Sequence, residues 1–178
     1  MSRPYVSPMM ALRPFLDRWR MCAVLISATM LATAHAFERF GELAPCTLCL
    51  RQREVYWVIL GLGLGFMILV RRPGGPRWRE ATCWALGGLF LLGAGVATYH
   101  AGAEWKFWPG PTACASAGTV VNAGDLAAFL DGAPVKPPAC DEVPWVFAGL
   151  SMAGWNALAS IVFAGLSGLA AIRERGKR

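Results

Sequence analysis

The chain has 178 residues, of which 56% are hydrophobic and 16% are charged, and its formal net charge is +6. Soluble globular domains have about 25% charged residues, so this composition excludes an ordinary soluble domain and indicates a membrane protein. The basic residues are divided among three short segments rather than gathered on one domain face, so we expect no nucleic-acid binding.

Four runs without Asp, Glu, Lys or Arg follow one another along the chain, at 21–37, 55–70, 81–99 and 145–172. A membrane-spanning helix needs about 20 residues. These runs predict an all-α integral membrane protein, a four-helix transmembrane bundle in which residues 1–178 form a single transmembrane domain. The first run could be a cleaved signal peptide, but three more runs follow it, so we expect it to be retained. The expected spans are about 19–37, 53–70, 81–99 and 145–172.

The orientation of the spans is predicted by the positions of Lys and Arg. The N-terminal tail, the 71–80 loop and the 173–178 tail hold 12 of the 17 basic residues. Because basic residues concentrate on the cytoplasmic side, we expect both termini and the 71–80 loop to be cytoplasmic. The loops 38–52 and 100–144 then lie outside, and the second of them is long and contains cysteine.

Four of the six cysteines lie in the two outer loops: Cys46, Cys49, Cys114 and Cys140. Disulfides persist outside the cytoplasm, so redox-linked pairs are favoured over metal binding. Pairing Cys46 with Cys49 and Cys114 with Cys140 is the preferred arrangement, although four cysteines permit three connectivities. A zinc site usually needs two closely spaced pairs, whereas Cys114 and Cys140 are 26 residues apart, so we expect no metal. Cys22 and Cys83 fall inside spans and are expected to be packing residues.

The stretch PCTLCLRQR (45–53) enters the second span and carries the most specific chemistry in the chain. If a helix begins near Cys46, then Cys46 and Cys49 are at i and i+3, and Cys49 and Arg53 are at i and i+4, on one face. The helix N-terminus and the guanidinium would both lower the thiol pKa. Because the thiolate is the reactive form of cysteine, this pattern predicts a redox-active dithiol at the outer edge of the membrane.

Three features together carry a family resemblance: PCTLCLRQR, the stretch YHAGAEWKFWPGPTAC (99–114) after the third span, and Cys140 before the fourth. With four spans, this arrangement resembles the DsbB family, the quinone-reducing membrane oxidases that reoxidise DsbA-type thioredoxin-fold proteins in the bacterial periplasm. The resemblance implies a multi-pass protein of the inner membrane. Its implied partners are a DsbA-like protein, a membrane quinone (ubiquinone or menaquinone) as electron acceptor, and the lipid bilayer.

The resemblance also implies a role for each matching residue. Cys46 and Cys49 would be the membrane-edge pair, with Cys49 contacting the quinone ring and Arg53 and His100 beside the quinone. Cys114 and Cys140 would be the loop pair, and Cys114 would form the mixed disulfide with the partner. Electrons would pass from Cys114–Cys140 to Cys46–Cys49 and then to the quinone. Glu104 and Trp108 belong to the same stretch as His100, but the resemblance assigns no role to either of them.

Three other classes of protein could carry these cysteines. A transporter that carries electrons outward would need cysteines in opposed spans, and only Cys22 and Cys83 are so placed. A vitamin K epoxide reductase type enzyme also joins Cys-x-x-Cys to a quinone, but its motif usually lies in a late span, whereas this one opens the second span. A non-catalytic membrane protein stapled by disulfides would explain the cysteines but not Arg53 beside Cys49. The DsbB-like function therefore remains the preferred hypothesis.

Overall fold

The computed structural model describes residues 13–41, 43–69, 75–111 and 139–177, and Cys114 lies outside these ranges. The described part is mainly helical, which confirms the predicted fold class of an all-α membrane protein. Its elements are α1 (Arg13–Asp17), α2 (Trp19–Phe40), α3 (Thr47–Leu69), α4 (Gly75–Glu104), β1 (Val146–Phe147), β2 (Leu150–Ser151) and α5 (Met152–Arg175).

Three of the four long helices are long and apolar enough to cross a membrane: α2, α4 from Trp78 onward, and α5. The fourth, α3, contains a long apolar run but carries Arg51, Arg53 and Glu54 in its first two turns. Each long helix extends beyond its uncharged run on at least one side, because helical backbone continues into polar flanks. The protein is therefore a multi-pass membrane protein, and its described part has four long helices.

The helices pack side by side, with α4 lying most extensively against α5 and α3 packing against both α2 and α4. Small residues allow the close approach of α4 and α5: a Cβ on Gly87 would lie 3.3 Å from the Cβ of Ser167. Small residues favour helix association in lipid, where burial of apolar surface does not drive it. The core of the bundle contains Trp19, Tyr56, Ile59, Leu86 and Phe90.

A short β-hairpin precedes α5 and occupies the first part of the apolar run 145–172. β1 pairs antiparallel with β2, with Phe147 opposite Leu150. The two residues between them, Ala148 and Gly149, have φ values of +50° and +81°. Positive φ at both central residues is the geometry of a two-residue type I′ turn, which matches the twist of paired strands. The hairpin thus places Ser151 at the start of α5.

Ser151 caps α5 and connects it to α4. Its Oγ accepts a hydrogen bond from the backbone N–H of Gly154 at 3.1 Å, which satisfies one of the free donors at the helix N-terminus. Its hydroxyl donates to the carboxylate of Glu104, the last residue of α4. The outer ends of α4 and α5 are therefore held together at a buried polar contact.

Candidate redox site at the outer end of the bundle

The dithiol lies at the N-terminus of α3, as predicted. Cys46 Sγ is 3.2 Å from Cys49 Sγ, and the backbone N–H of Cys49 donates to Cys46 Sγ at 3.3 Å. Cys46 immediately precedes the helix, so its sulfur occupies the position of an N-cap side chain and faces the positive end of the helix dipole. Both thiols are free.

His100 lies directly beside this dithiol, whereas the family resemblance had implied a position beside the quinone. Its side chain is buried, and its Nε2 atom is 3.5 Å from Cys46 Sγ. The two sulfur atoms and a ring nitrogen of His100 all lie within 4.8 Å of one another. Residues from two separate parts of the sequence are thus brought into one compact cluster.

The pKa of Cys46 is lowered to about 4. The largest cause is the hydrogen bond with the Cys49 thiol, followed by the opposing effect of burial and by the hydrogen bond with His100. Cys46 is therefore the thiol that the site stabilises as a thiolate, since both the backbone N–H and the imidazole are aimed at it. Sequence spacing had predicted stabilisation of both thiols without distinguishing them.

A buried carboxylate, Glu104, lies on the other side of His100. Its Oε1 atom is 3.7 Å from His100 Nε2, and its second oxygen accepts the hydrogen bond from Ser151. Glu104 stands four residues after His100 on α4, so the two side chains share a helix face. The i, i+4 spacing in YHAGAE is the sequence signal that could have included Glu104 in the site.

A line of buried amides and hydroxyls leads from His100 into the bundle. Gln52 Nε2 is 2.8 Å from His100 Nδ1, Asn156 Nδ2 is 2.5 Å from Gln52 Oε1, and the Tyr56 hydroxyl is 2.5 Å from Asn156 Oδ1. The Tyr56 hydroxyl is also 3.2 Å from Ser160 Oγ. These polar residues were not predicted, because nothing in the local sequence pattern indicates which polar side chains of α3 and α5 face each other.

Arg53 contributes to the same site but binds a partner that its spacing did not reveal. Its guanidinium donates to the carboxylate of Glu38 on α2 and to the Ala34 carbonyl at 3.1 Å. The Arg53 side chain is 13% exposed, whereas that of Glu38 is 40% exposed. An arginine at a membrane edge is costly unless it has a partner or reaches water, and here an ion pair provides the partner.

A cavity of about 550 Å³ opens beside the dithiol. Its polar lining includes Cys49, Arg53, His100 and Glu104, whereas its walls are largely apolar. A row of aromatic rings lines one side: Phe37, Trp145, Phe147 and Trp155, with successive ring centroids 5.5, 5.9 and 6.4 Å apart. An apolar cavity with a few convergent polar groups is the usual form of a small-molecule site.

Cys140 packs against the dithiol from the outer loop. It is fully buried in a cluster with Cys46, Leu48 and Cys49, and its Sγ is 3.2 Å from Thr47 Oγ1. Next to it, the Lys106 ammonium binds Asp141 at 2.5 Å and holds the pKa of that carboxyl below its usual range. Cys140 is disulfide-bonded, so it is not available as a thiolate for the four-cysteine zinc site weighed above.

A helical membrane bundle with a dithiol, a stabilised thiolate and a disulfide packed against them defines a membrane thiol–disulfide oxidoreductase. The chain belongs to the DsbB family: the family model described as Disulfide bond formation protein DsbB matches residues 17–170. It is a DsbB-like thiol oxidase, which confirms the resemblance and rules out the vitamin K epoxide reductase type and non-catalytic alternatives.

Curated relatives support the same assignment. The chain is 32% identical to Disulfide bond formation protein B of Methylococcus capsulatus over 74% of this chain and 79% of the relative. It is 31% identical to the protein of the same name from Dechloromonas aromatica over 77% and 79%, and 27% identical to that from Shewanella amazonensis over 78% and 80%. No solved structure has significant similarity to the chain.

Proposed function

We propose that this protein reoxidises a DsbA-type dithiol oxidase on the periplasmic side of the bacterial inner membrane and passes the electrons to a membrane quinone. The observation that carries the proposal is the cavity beside the dithiol. It brings Cys49 and Arg53 together with largely apolar walls. A lipid-soluble oxidant needs such a surface, and the dithiol needs that oxidant within reach.

The dimensions and the chemistry of the cavity fit a quinone head group. Small-molecule sites typically have volumes of about 300–1,000 Å³ and a small number of polar groups that fix the orientation of the ligand. Arg53 would donate to a ring oxygen, and the aromatic row would contact the ring or its apolar tail. A bound quinone supplies an acceptor for two electrons and two protons.

The electron path proposed within the protein uses the packing of Cys140 against Cys46. Once the partner dithiol has reduced the loop disulfide through Cys114, the Cys140 thiolate attacks the Cys46–Cys49 disulfide. The loop disulfide re-forms as Cys114 attacks the resulting mixed disulfide, which leaves Cys46 and Cys49 as the reduced pair. Two electrons move at each exchange, and the released thiolate of Cys46 is stabilised by His100 and the helix N-terminus.

The direction of the path follows from reduction potentials. DsbA-type oxidases have a potential of about −120 mV, so a glutathione couple near −200 mV cannot reoxidise them. For a two-electron couple, about 30 mV corresponds to 1.4 kcal/mol, so an acceptor of more positive potential is required. A membrane quinone, ubiquinone or menaquinone, would be that acceptor.

Purified protein in detergent, a reduced DsbA-type partner and a short-chain ubiquinone or menaquinone test the proposal. We expect Cys49→Ser to abolish quinone reduction, because the remaining Cys46 thiolate has no sulfur partner with which to release two electrons. Cys22→Ser, which alters a free cysteine of α2 outside the site, is the matched control and should keep normal turnover. Normal turnover by Cys49→Ser would overturn the proposed role of the pair.

A further inference from the structure

Three hydrogen bonds in series connect α3, α4 and α5 and end on His100. Gln52 contacts His100, Asn156 contacts Gln52, and Tyr56 contacts Asn156, at 2.8, 2.5 and 2.5 Å. All four side chains are more than nine-tenths buried. Buried polar groups are costly when they lack partners, so a fully connected line of this kind must satisfy every donor and acceptor.

The Leu48 carbonyl determines which groups donate and which accept in this series of hydrogen bonds. Gln52 Nε2 lies 3.4 Å from the Leu48 carbonyl oxygen, and a carbonyl only accepts hydrogen bonds. The amide nitrogen of Gln52 therefore points toward His100, and its oxygen accepts from the amide nitrogen of Asn156. The oxygen of Asn156 is then left to accept from the Tyr56 hydroxyl, which donates its proton.

We propose that Gln52, held by Asn156 and Tyr56, is a positioning residue that keeps the His100 proton on Nε2, where it faces Cys46. A neutral imidazole has one N–H donor and one acceptor nitrogen. Because Gln52 donates to Nδ1, that nitrogen must be the acceptor, and the proton is on Nε2. The proposal rests on the proposed function only in treating Cys46 and Cys49 as the redox pair.

This tautomer determines what His100 offers to the thiols. Nε2 lies 3.5 Å from Cys46 Sγ and 3.7 Å from Glu104 Oε1, so its proton faces two acceptors. A donor aimed at the thiolate stabilises it and contributes to the low pKa of Cys46. The opposite tautomer would aim a lone pair at the negative sulfur and would leave Gln52 without an acceptor.

Other charged and titratable groups surround His100 within the described part of the chain. Cys46, just before α3, and Cys49, in its first turn, lie on one side, and two turns further into α3 lies Tyr56. α4 contributes Glu104. Arg53, paired with Glu38 of α2, lines the same cavity. From α5, Asn156 donates a hydrogen bond to Gln52. Asn156 is uncharged, so it does not itself set the position of the His100 proton.

The tautomer can be measured directly because the chain has only two histidines, His35 and His100. Full-length reduced protein labelled with [15N]histidine would be studied in nanodiscs at neutral pH, with His35→Gln used to assign the signals. Protonated and unprotonated imidazole nitrogens have widely separated 15N shifts. We expect His100 to show a protonated Nε2 and an unprotonated Nδ1, and a protonated Nδ1 in the unmodified chain would overturn the proposal.

Variants then test the role of Gln52 without requiring quinone or partner. Gln52→Glu presents an acceptor to Nδ1 and should move the proton to Nδ1, whereas Asn156→Leu releases Gln52 and should give a mixture of tautomers. Ser160→Ala removes a hydroxyl that lies 3.2 Å from the Tyr56 hydroxyl and 3.5 Å from Asn156 Oδ1, leaves the amide bonds from Asn156 to Gln52 and from Gln52 to His100 in place, and should leave the tautomer unchanged. Retention of the Nε2-protonated form in Gln52→Glu would contradict the proposed control by Gln52.

A second measurement separates positioning from a merely structural role. The rate of Cys46 alkylation by iodoacetamide would be followed against pH in a Cys49→Ser background, where one thiol remains in that segment. We expect Gln52→Glu to shift the midpoint upward by about one to two pH units, since a hydrogen bond to the thiolate is lost. If Gln52→Glu leaves the pH profile of Cys46 alkylation unshifted, the proposal is wrong. If the profile shifts as expected but the unmodified protein does not reduce quinone, only the proposed function is contradicted.

Discussion

Arg53 lies on the predicted helix face, but its hydrogen-bond partners were not predicted. The i, i+4 spacing predicted that it shares a helix face with Cys49, and both residues line the cavity. Its hydrogen bonds, however, go to Glu38 and to the Ala34 carbonyl of α2. One guanidinium therefore joins two helices and still presents positive charge to the cavity.

We expect Arg53→Ala to raise the apparent KM for quinone about tenfold, which corresponds to the loss of one charge-assisted hydrogen bond. The exchange between the partner protein and the loop disulfide should change little, because the hydrogen bonds of Arg53 go to Glu38 and Ala34 of α2 rather than to the loop. Steady-state kinetics at varied quinone and at varied partner would separate the two effects.

Arg51→Ala is the matched control for this substitution. Within the described residues Arg51 pairs with Glu54, and both side chains are well exposed, at 69% and 58%. Exposed ion pairs contribute about 0–1 kcal/mol, so we expect nearly unchanged kinetics. An Arg53→Ala variant with a normal KM for quinone and a slower partner step would show that the guanidinium serves the loop instead.

At this scale, sequence spacing predicted which residues share a face but not which atoms meet. Cys46, Cys49 and Arg53 were found from the periodicity of a single helix. The partners of that helix could not be found in the same way, because Glu38, His100 and Asn156 come from three other helices whose rotation about their axes is set by packing. The selective stabilisation of Cys46 depends on those partners, so it became visible only in three dimensions.

Among the structural elements, the end of α4 determines how the outer loop meets the bundle. Lys106 has φ of +61°, the backbone N–H of Phe107 donates to the Gly102 carbonyl, and that of Lys106 donates to the Ala103 carbonyl. This pair of bonds is a Schellman motif, which usually has glycine at the left-handed position. The ammonium of the lysine at this position binds Asp141, beside Cys140.

Gly102→Ala tests whether this helix end is needed for the site. A Cβ at Gly102 would lie only 2.0 Å from the Trp108 ring, which is held by a hydrogen bond to the Tyr99 carbonyl. The ring must therefore move, and overpacking of this kind typically costs about 1–3 kcal/mol. We expect a lower thermal unfolding midpoint and slower exchange at the loop disulfide.

Gly95→Ala provides the matched control on the same helix, because no atom lies within 4 Å of the Cβ that it would add. It should leave both measurements unchanged or raise stability slightly, since alanine is the better helix former. If the two variants have the same thermal unfolding midpoint and the same rate of exchange at the loop disulfide, the Trp108 ring moves aside without disturbing the loop.

The helices themselves were predictable, since long uncharged runs have few alternatives in a membrane. The hairpin before α5 was not predictable in the same way. Residues 145–151 are as apolar as the helix that follows them, so composition gives no boundary between strand and helix. Only the pair Ala148–Gly149, with its left-handed backbone, marks the turn.

Across the described part of the molecule, the redox site lies at one end of the bundle, and the ion pairs that join α1, α4 and α5 lie at the other. The dithiol, His100 and Glu104 lie at one end. At the other end, Asp17 binds Arg173 at 2.8 Å, and Glu80 binds Arg175 at 2.8 Å. The start of the described chain, the start of α4 and the end of α5 are thus gathered together, as a bundle with both termini on one side requires.

This arrangement gives a testable topology, in which both termini are cytoplasmic and the 100–144 loop is periplasmic. Alkaline phosphatase, which folds to an active form only outside the cytoplasm, would be fused after Arg178 or inserted after Gly110 in the full chain. We expect activity from the insertion and none from the terminal fusion, because basic residues flanking a span are retained in the cytoplasm. A fluorescent protein that matures only in the cytoplasm should give the reverse pattern at the same two positions. Phosphatase activity at the C-terminus would place the arginine-rich end outside, and the dithiol would then face the reducing cytoplasm, where it could not serve a periplasmic partner.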